Sequence, residues 1–142
     1  MKKLMMMSVL AVIFTVSACA QKLDASKVPA AVMAAFTKQY PGTDAKWEKE
    51  AGKYEVNFKQ SGSTMSALYE ANGTLTETEM DIAVTDLPAT VLAYVKEHFK
   101  GKTIKEGAKI TKADGSVNYE AEVAGKDVIF DANGKFLREA KD

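Results

Sequence analysis

Val28-Pro29-Ala30-Ala31-Val32-Met33-Ala34, running on to Tyr40-Pro41-Gly42, returns as Leu87-Pro88-Ala89-Thr90-Val91-Leu92-Ala93, running on to Phe99-Lys100-Gly101. Further along, Leu68-Tyr69-Glu70-Ala71-Asn72-Gly73 returns as Ile129-Phe130-Asp131-Ala132-Asn133-Gly134. Each copy holds a helix pattern, then an alternating pattern, then a turn signal, so the repeated unit is a whole supersecondary block. In the helical parts Val28, Val32, Phe36 and Tyr40 recur every four residues beside Met33, and Leu87, Val91, Val95 and Phe99 do the same beside Leu92. Both helices are therefore amphipathic with one apolar stripe. Ser26 and Asp86 are expected to cap them, Pro29 and Pro88 to sit in the first turn, and Gly42 and Gly101 to stop them.

After each helix the period drops to two. Tyr54, Val56 and Phe58 alternate with Glu55 and Asn57, and Val117, Tyr119, Ala121 and Val123 alternate with Asn118, Glu120 and Glu122. This pattern describes antiparallel strands with one covered and one wet face. Further strands are expected at Met65–Tyr69 and Val128–Phe130, and, after the Asn-Gly turns, at Thr74–Ile82 and Phe136–Glu139. An earlier strand is expected around Trp47, with a counterpart around Ile110. The spacing between copies is 59 residues at Pro29 and Pro88, 65 at Tyr54 and Tyr119, and 61 at Asn72 and Asn133. The second copy thus gains six residues near Gly101 to Gly115 and loses four at a hairpin tip, where Gln60–Ser63 is the longer tip and Ala124–Asp127 the shorter. Loops are the expected place for both changes. The fold implied is α+β: two tandem repeats, about residues 26–84 and 85–141, each a helix followed by three or four strands, joined in one antiparallel sheet with both helices on one face. A single such block would be marginal alone.

The first residues read differently. Lys2 and Lys3 precede an apolar run from Leu4 to Val16, with small residues after it, which is the layout of an export signal over residues 1–19. The run is shorter than the roughly 20 residues of a membrane span. Val16-Ser17-Ala18-Cys19 resembles a lipobox, with Cys19 lipid-modified; Ala18-Cys19-Ala20 also fits ordinary small-x-small cleavage. Lipidation is preferred because the chain's one cysteine stands where a lipoprotein requires it. Residues 20–142 then form the mature domain, located in the periplasm or cell envelope on a lipid anchor, or soluble there if cleavage is ordinary. Without Lys2 and Lys3 it carries 17 basic and 19 acidic residues, a net charge near −2. That balance argues against nucleic acid, which needs a clustered basic face. No cysteine is left for a disulfide, so stability must come from the core.

The residues also resemble a known family, the periplasmic PepSY-like proteins, similar in fold to the β-lactamase inhibitor protein. The likeness rests on the two helix openings, on Tyr40-Pro41-Gly42, on Tyr54-Glu55-Val56 and Tyr119-Glu120-Ala121, and on Asn72-Gly73-Thr74-Leu75 with Glu77-Thr78-Glu79 and Asn133-Gly134-Lys135-Phe136. It spans about Ser26 to Glu139. It implies an exported protein, often of Bacteroidetes-type bacteria, and carries over no functional residue, because fold does not determine function.

Chemistry is sparse. A nucleophile needs a base beside it, and the one histidine, His98, stands where the first copy has Gln39, as a solvent-facing helix residue would. Neither a metal site nor a cofactor motif is spelled. Asp131-Ala132-Asn133-Gly134 is read as a turn. Glu77 with Glu79, and Glu120 with Glu122, project in pairs from one strand face, as glycosidase acids could, but a solvated sheet face requires the same pattern. Trp47 is expected in the core. The reading is a non-enzymatic exported binding module, protein-binding or inhibitor-like, that holds a periplasmic or cell-surface protein on its open sheet face through Glu55, Asn57, Asn118, Glu120 and Glu122. The alternative is a small-molecule-binding or envelope-stress accessory protein with a pocket between sheet and helices lined by Tyr54, Tyr119 and Trp47.

Overall fold

The computed structural model describes residues 20–141; the export-signal reading and Cys19 lie outside the described residues. Strand β1 (Gln21–Leu23) leads through a 3-10 turn (Ala25–Lys27) to helix α1 (Ala30–Gln39) and strands β2 (Ala45–Glu50), β3 (Lys53–Gln60), β4 (Ser63–Tyr69) and β5 (Leu75–Ile82). A second 3-10 turn (Val84–Asp86), helix α2 (Ala89–His98) and strands β6 (Ile104–Lys112), β7 (Val117–Val123), β8 (Lys126–Asp131) and β9 (Phe136–Lys141) follow. Among the described residues the strands form one sheet in chain order, each antiparallel to the next. The fold is α+β, a large antiparallel sheet with two helices. β1 and its 3-10 turn sit 59 residues before the end of β5 and the second 3-10 turn, the spacing of the two prolines. The three residues of β1 were not expected from the sequence, being too few to show a period.

Two apolar clusters form the core. Val32 and Phe36 of α1 join Trp47, Val56, Phe58, Ala67 and Tyr69. Val91 and Val95 of α2 join Ala121, Val123, Val128 and Phe130. Trp47 is 5% exposed, edge-on to Phe36 with ring centroids 5.4 Å apart, so its expected core position holds. The caps are corrected. Ser26 and Asp86 lie in the 3-10 turns, and Pro29 and Pro88 are themselves the helix N-caps, with no side-chain cap bond. A proline carbonyl still accepts the first helical bond, from Met33 N–H at 3.0 Å and Leu92 N–H at 3.2 Å. Asp24 does the side-chain capping one turn earlier, accepting from Ser26 N–H at 2.9 Å. The helices end at Gln39 and His98, before Gly42 and Gly101, because Tyr40 and Phe99 already leave helical geometry while their N–H groups close the last turn.

The first length change falls between Gly101 and Gly115 as expected, though in part within a strand, and the second is not at a hairpin tip. The stretch from helix to strand is equal in both halves, Tyr40 to Asp44 and Phe99 to Thr103. The gain lies in β6 and its turn to β7, which extends the strand that pairs with β5. The hairpin tips Ser61-Gly62 and Ala124-Gly125 are both two residues, and the loss comes from the strands leading to them. A hairpin shortened by whole cross-strand pairs keeps every side chain on its face. One consequence is that Gly107, not Ile110, pairs with Ala121 where Trp47 pairs with Val56. Leu87 then packs directly on the Gly107 backbone.

Each turn after an inner hairpin strand presses on a helix start. Gly73, at φ +86°, lies so close to α1 that a Cβ there would stand 2.6 Å from the Ala31 carbonyl oxygen, and a Cβ on Gly134, at φ +77°, would overlap Thr90 Oγ1. Thr90 Oγ1 donates to the Asn133 carbonyl at 3.0 Å. Gly73→Ala and Gly134→Ala are each expected to cost about 3 kcal/mol or more by urea unfolding, against roughly 1–2 kcal/mol for Gly62→Ala, which has open space around it. Tyr69 is buried with its hydroxyl unpartnered, at the position Phe130 fills in the second half. Removing an unsatisfied buried hydroxyl should raise stability, so Tyr69→Phe is expected to gain about 1 kcal/mol in the same assay.

Candidate polar face of the sheet

Directly paired residues project to the same side of a sheet, so registers can be followed across strands. One row runs Asn57, Ser66, Glu79, Ile110, Asn118 and Asp131. A second runs Asp81, Ala108, Glu120, Ile129 and Arg138. A third runs Glu48, Glu55, Leu68, Glu77 and Lys112, and Glu122 pairs with Glu106 and Asp127. All are out of phase with Val56, Ala67, Ala121 and Val128, which the helices cover. The five residues singled out from the sequence, Glu55, Asn57, Asn118, Glu120 and Glu122, are all half-buried and fall in these rows. Asn57 and Asn118 share a row with Glu79 between them; Glu120 and Glu122 lie in rows towards the β8 side.

Ala108 and Ile110 are 5% exposed and Ile129 4%, yet none belongs to either helix-packed cluster. Their cover comes from neighbours on the polar side. Glu79 shows the same enclosure: burial pushes its carboxyl up to about 7, helped by the negative charges of Glu55, Asp81, Glu77 and Asp127. Asp127 belongs to β8, three strands from β5 in the sheet. Burial, then Glu48 and Glu50, also raise Glu55, against a hydrogen bond from Ser66 that lowers it. Lys112 pairs with Glu77, and Lys105 with Glu122 at 3.0 Å.

The sequence presented Glu77 and Glu79 as a solvated pair, and placed Ile110 and Ile129 on strands without marking them as buried on this side. The available signal was the unbroken run Val128-Ile129-Phe130, since apolar residues in succession mean burial on both sides of a strand. The alternative pocket does not form as drawn. Tyr54 packs against one cluster and Tyr119 against the other, and neither lines any of four grooves among the described residues. Trp47 lines one of about 460 Å³, with Tyr40 and Phe36. Another, of about 650 Å³, lies at the polar row's end between Asp44, Lys46, Asn57 and Lys59. His98 is exposed, its ring stacked on Tyr94 at 3.9 Å. Among the described residues no three His, Cys, Asp or Glu side chains converge to hold a metal ion.

This geometry defines a class: a large antiparallel sheet with two helices, an α+β fold. The chain belongs to the family described as "Putative beta-lactamase-inhibitor-like, PepSY-like", whose model matches residues 15–77 and again residues 53–138. Among solved structures it resembles a "putative periplasmic" protein from Bacteroides eggerthii DSM 20697, at 16% identity over 80% of this chain and 88% of that one, with a TM-score of 0.71. It also resembles a DUF2874 family protein from Bacteroides uniformis ATCC 8492, at 19% identity over 80% and 88%, TM-score 0.69. A BLIP-like protein from Bacteroides fragilis NCTC 9343 matches at 24% identity over 80% and 86%, TM-score 0.63. At these identities the likeness is one of fold. No curated protein matches the chain.

Glu79 gives a testable pH dependence. Its folded pKa of about 7 exceeds the unfolded value of about 4.3, so between these values the folded state holds the extra proton. Stability from this group is present at low pH, falls as pH rises through that window, and is flat above it. Glu79→Gln is expected to raise Tm by several degrees at pH 8 and to change it little at pH 4.5, measured by thermal melts.

Proposed function

We propose that the chain is an exported, non-catalytic binding module that holds a partner protein on the polar face of its sheet. The observation that carries this reading is the half-buried polar face, on which Glu55, Asn57, Asn118, Glu120 and Glu122 lie out of phase with the helix-packed strand residues. The registers support two tandem repeats, about 26–84 and 85–141, with both helices on one side and the polar rows on the other. An interface of standard size, roughly 800 Å² per partner, fits such a surface. The description of the Bacteroides eggerthii relative as periplasmic supports export to the periplasm, and the lipobox-like Val16–Cys19 supports a lipid anchor on Cys19. A lone histidine stacked on a tyrosine offers no base beside a nucleophile, which favours binding over catalysis.

Charge reversal at Glu55, Glu120 and Glu122 together is expected to abolish cross-linked capture of envelope proteins by the tagged mature chain while leaving its circular dichroism and Tm near those of the parent. Unaltered capture by a folded variant would contradict the reading. Intact mass of the same protein from its native envelope should show acyl chains on Cys19; an unmodified N-terminus would mean ordinary cleavage and a soluble periplasmic protein.

A further inference from the structure

The groove beside Trp47 has a counterpart in the second half. It measures about 340 Å³, lies between α2, the Val84–Asp86 turn and the stretch ahead of β6, and is lined by Val84, Leu92, Phe99 and Ile104 together with Lys96 and Lys102. Those four apolar residues are only half-buried, so the floor is open. Each of its lining residues stands 59 positions after a residue lining the groove beside Trp47, the spacing of the two prolines. A helix, the 3-10 turn before it and the loop after it therefore shape the groove in both halves. Its polar members are not repeated. Thr37, Thr43 and Asp44 of the first groove become Lys96, Lys102 and Thr103 in the second. Both lysines are exposed, and neither forms an ion pair among the described residues. A cation suits the last turn of a helix, which accounts for Lys96, whereas Lys102 lies beyond α2. An open apolar floor beside two cations complements an alkyl chain that ends in an anion: the chain covers the exposed carbon and the head meets the ammonium groups. The volume is at the small end of the roughly 300–1,000 Å³ of ligand sites, which suits one short chain.

We infer that the second-half groove binds a single-chain carboxylate amphiphile, its alkyl chain over Leu92, Phe99, Val84 and Ile104 and its head held by Lys96 and Lys102. The site is built by α2 and its flanking loops, apart from the polar rows of the sheet, so the inference does not rest on the protein-binding reading above. The first groove discriminates against the same ligand, because Asp44 brings a carboxylate where the second has Thr103 and no lysine lines it. Trp47, the chain's one tryptophan, lines that first groove and so reports on any ligand that enters it.

The test is isothermal titration calorimetry of octanoate and decanoate, below their micelle-forming concentrations, into the mature chain, its Lys96→Gln/Lys102→Gln variant, and a variant with equal charge loss elsewhere, Lys46→Gln/Lys59→Gln. The expected result is saturable binding that tightens about twofold to fourfold for each added methylene. Affinity should fall about tenfold in the first variant, the loss of two exposed ion pairs, and less than twofold in the second. Octanol, which has the chain without the charge, should bind about tenfold more weakly than octanoate, and Trp47 emission should stay constant through the decanoate titration. Circular dichroism of both variants should match the parent, since all four substituted lysines are exposed. Equal losses in both double variants, absence of saturation, affinity indifferent to chain length, or a Trp47 emission change that tracks the titration would overturn the inference. So would binding to phosphatidylglycerol vesicles without binding of decanoate, which would mean a membrane surface in place of a single chain.

Discussion

The contact between a turn backbone and a helix start recurs in both halves, and the rest of the architecture hangs on it. Gly73 lies against the Ala31 carbonyl and Gly134 against Thr90, so the turn entering the last strand of each block is held under the first turn of that block's helix. This fixes the distance between helix and sheet at one end. The apolar stripe then fixes the rest, through Val32 and Phe36 in one block and Val91 and Val95 in the other. Local contacts alone would not join the blocks. That task falls to the β5–β6 pairing, whose six-residue register runs from Glu77 opposite Lys112 to Ile82 opposite Gly107.

The same pairing makes the polar face continuous. Because side-chain direction alternates along a strand, the residues that place Thr78 and Met80 in phase with the helix-covered positions must place Glu77, Glu79 and Asp81 on the other side, beside Ile110 and Ala108. A sheet face fully open to water would leave those groups at ordinary acidity and those apolar side chains exposed. Here Glu79 is pushed up to about 7 and Ile110 is 5% exposed. The face thus already carries a desolvation cost.

Much of the fold was legible because the pattern was stated twice. Val28 to Tyr40 and Leu87 to Phe99 carry helical periodicity long enough to decide, and Tyr54 to Phe58 and Val117 to Val123 alternate cleanly. What failed were positions set by pairing rather than by local pattern. Ile110 reads as the second-copy counterpart of Trp47 until the longer β6 places Gly107 in that register. The length change at the β7–β8 hairpin reads as a shorter tip, although strands shortened by pairs leave the tip unchanged. For the site, alternation marked Glu55, Asn57, Asn118, Glu120 and Glu122 as one phase, but nothing local marks Glu79 as enclosed. Its environment is set first by burial and then by Glu55, a residue of another strand far away in sequence.

Carboxyl footprinting in the native envelope tests the central claim most directly. Intact cells and the purified mature protein would be treated with a carbodiimide and glycine amide, and labelling at each Asp and Glu compared by mass spectrometry. The account predicts protection in the envelope at Glu55, Glu79, Asp81 and Glu120, with Asp86 and Glu97 labelled equally in both samples. Protection confined to Asp86 and Glu97, on the helix side, would contradict it.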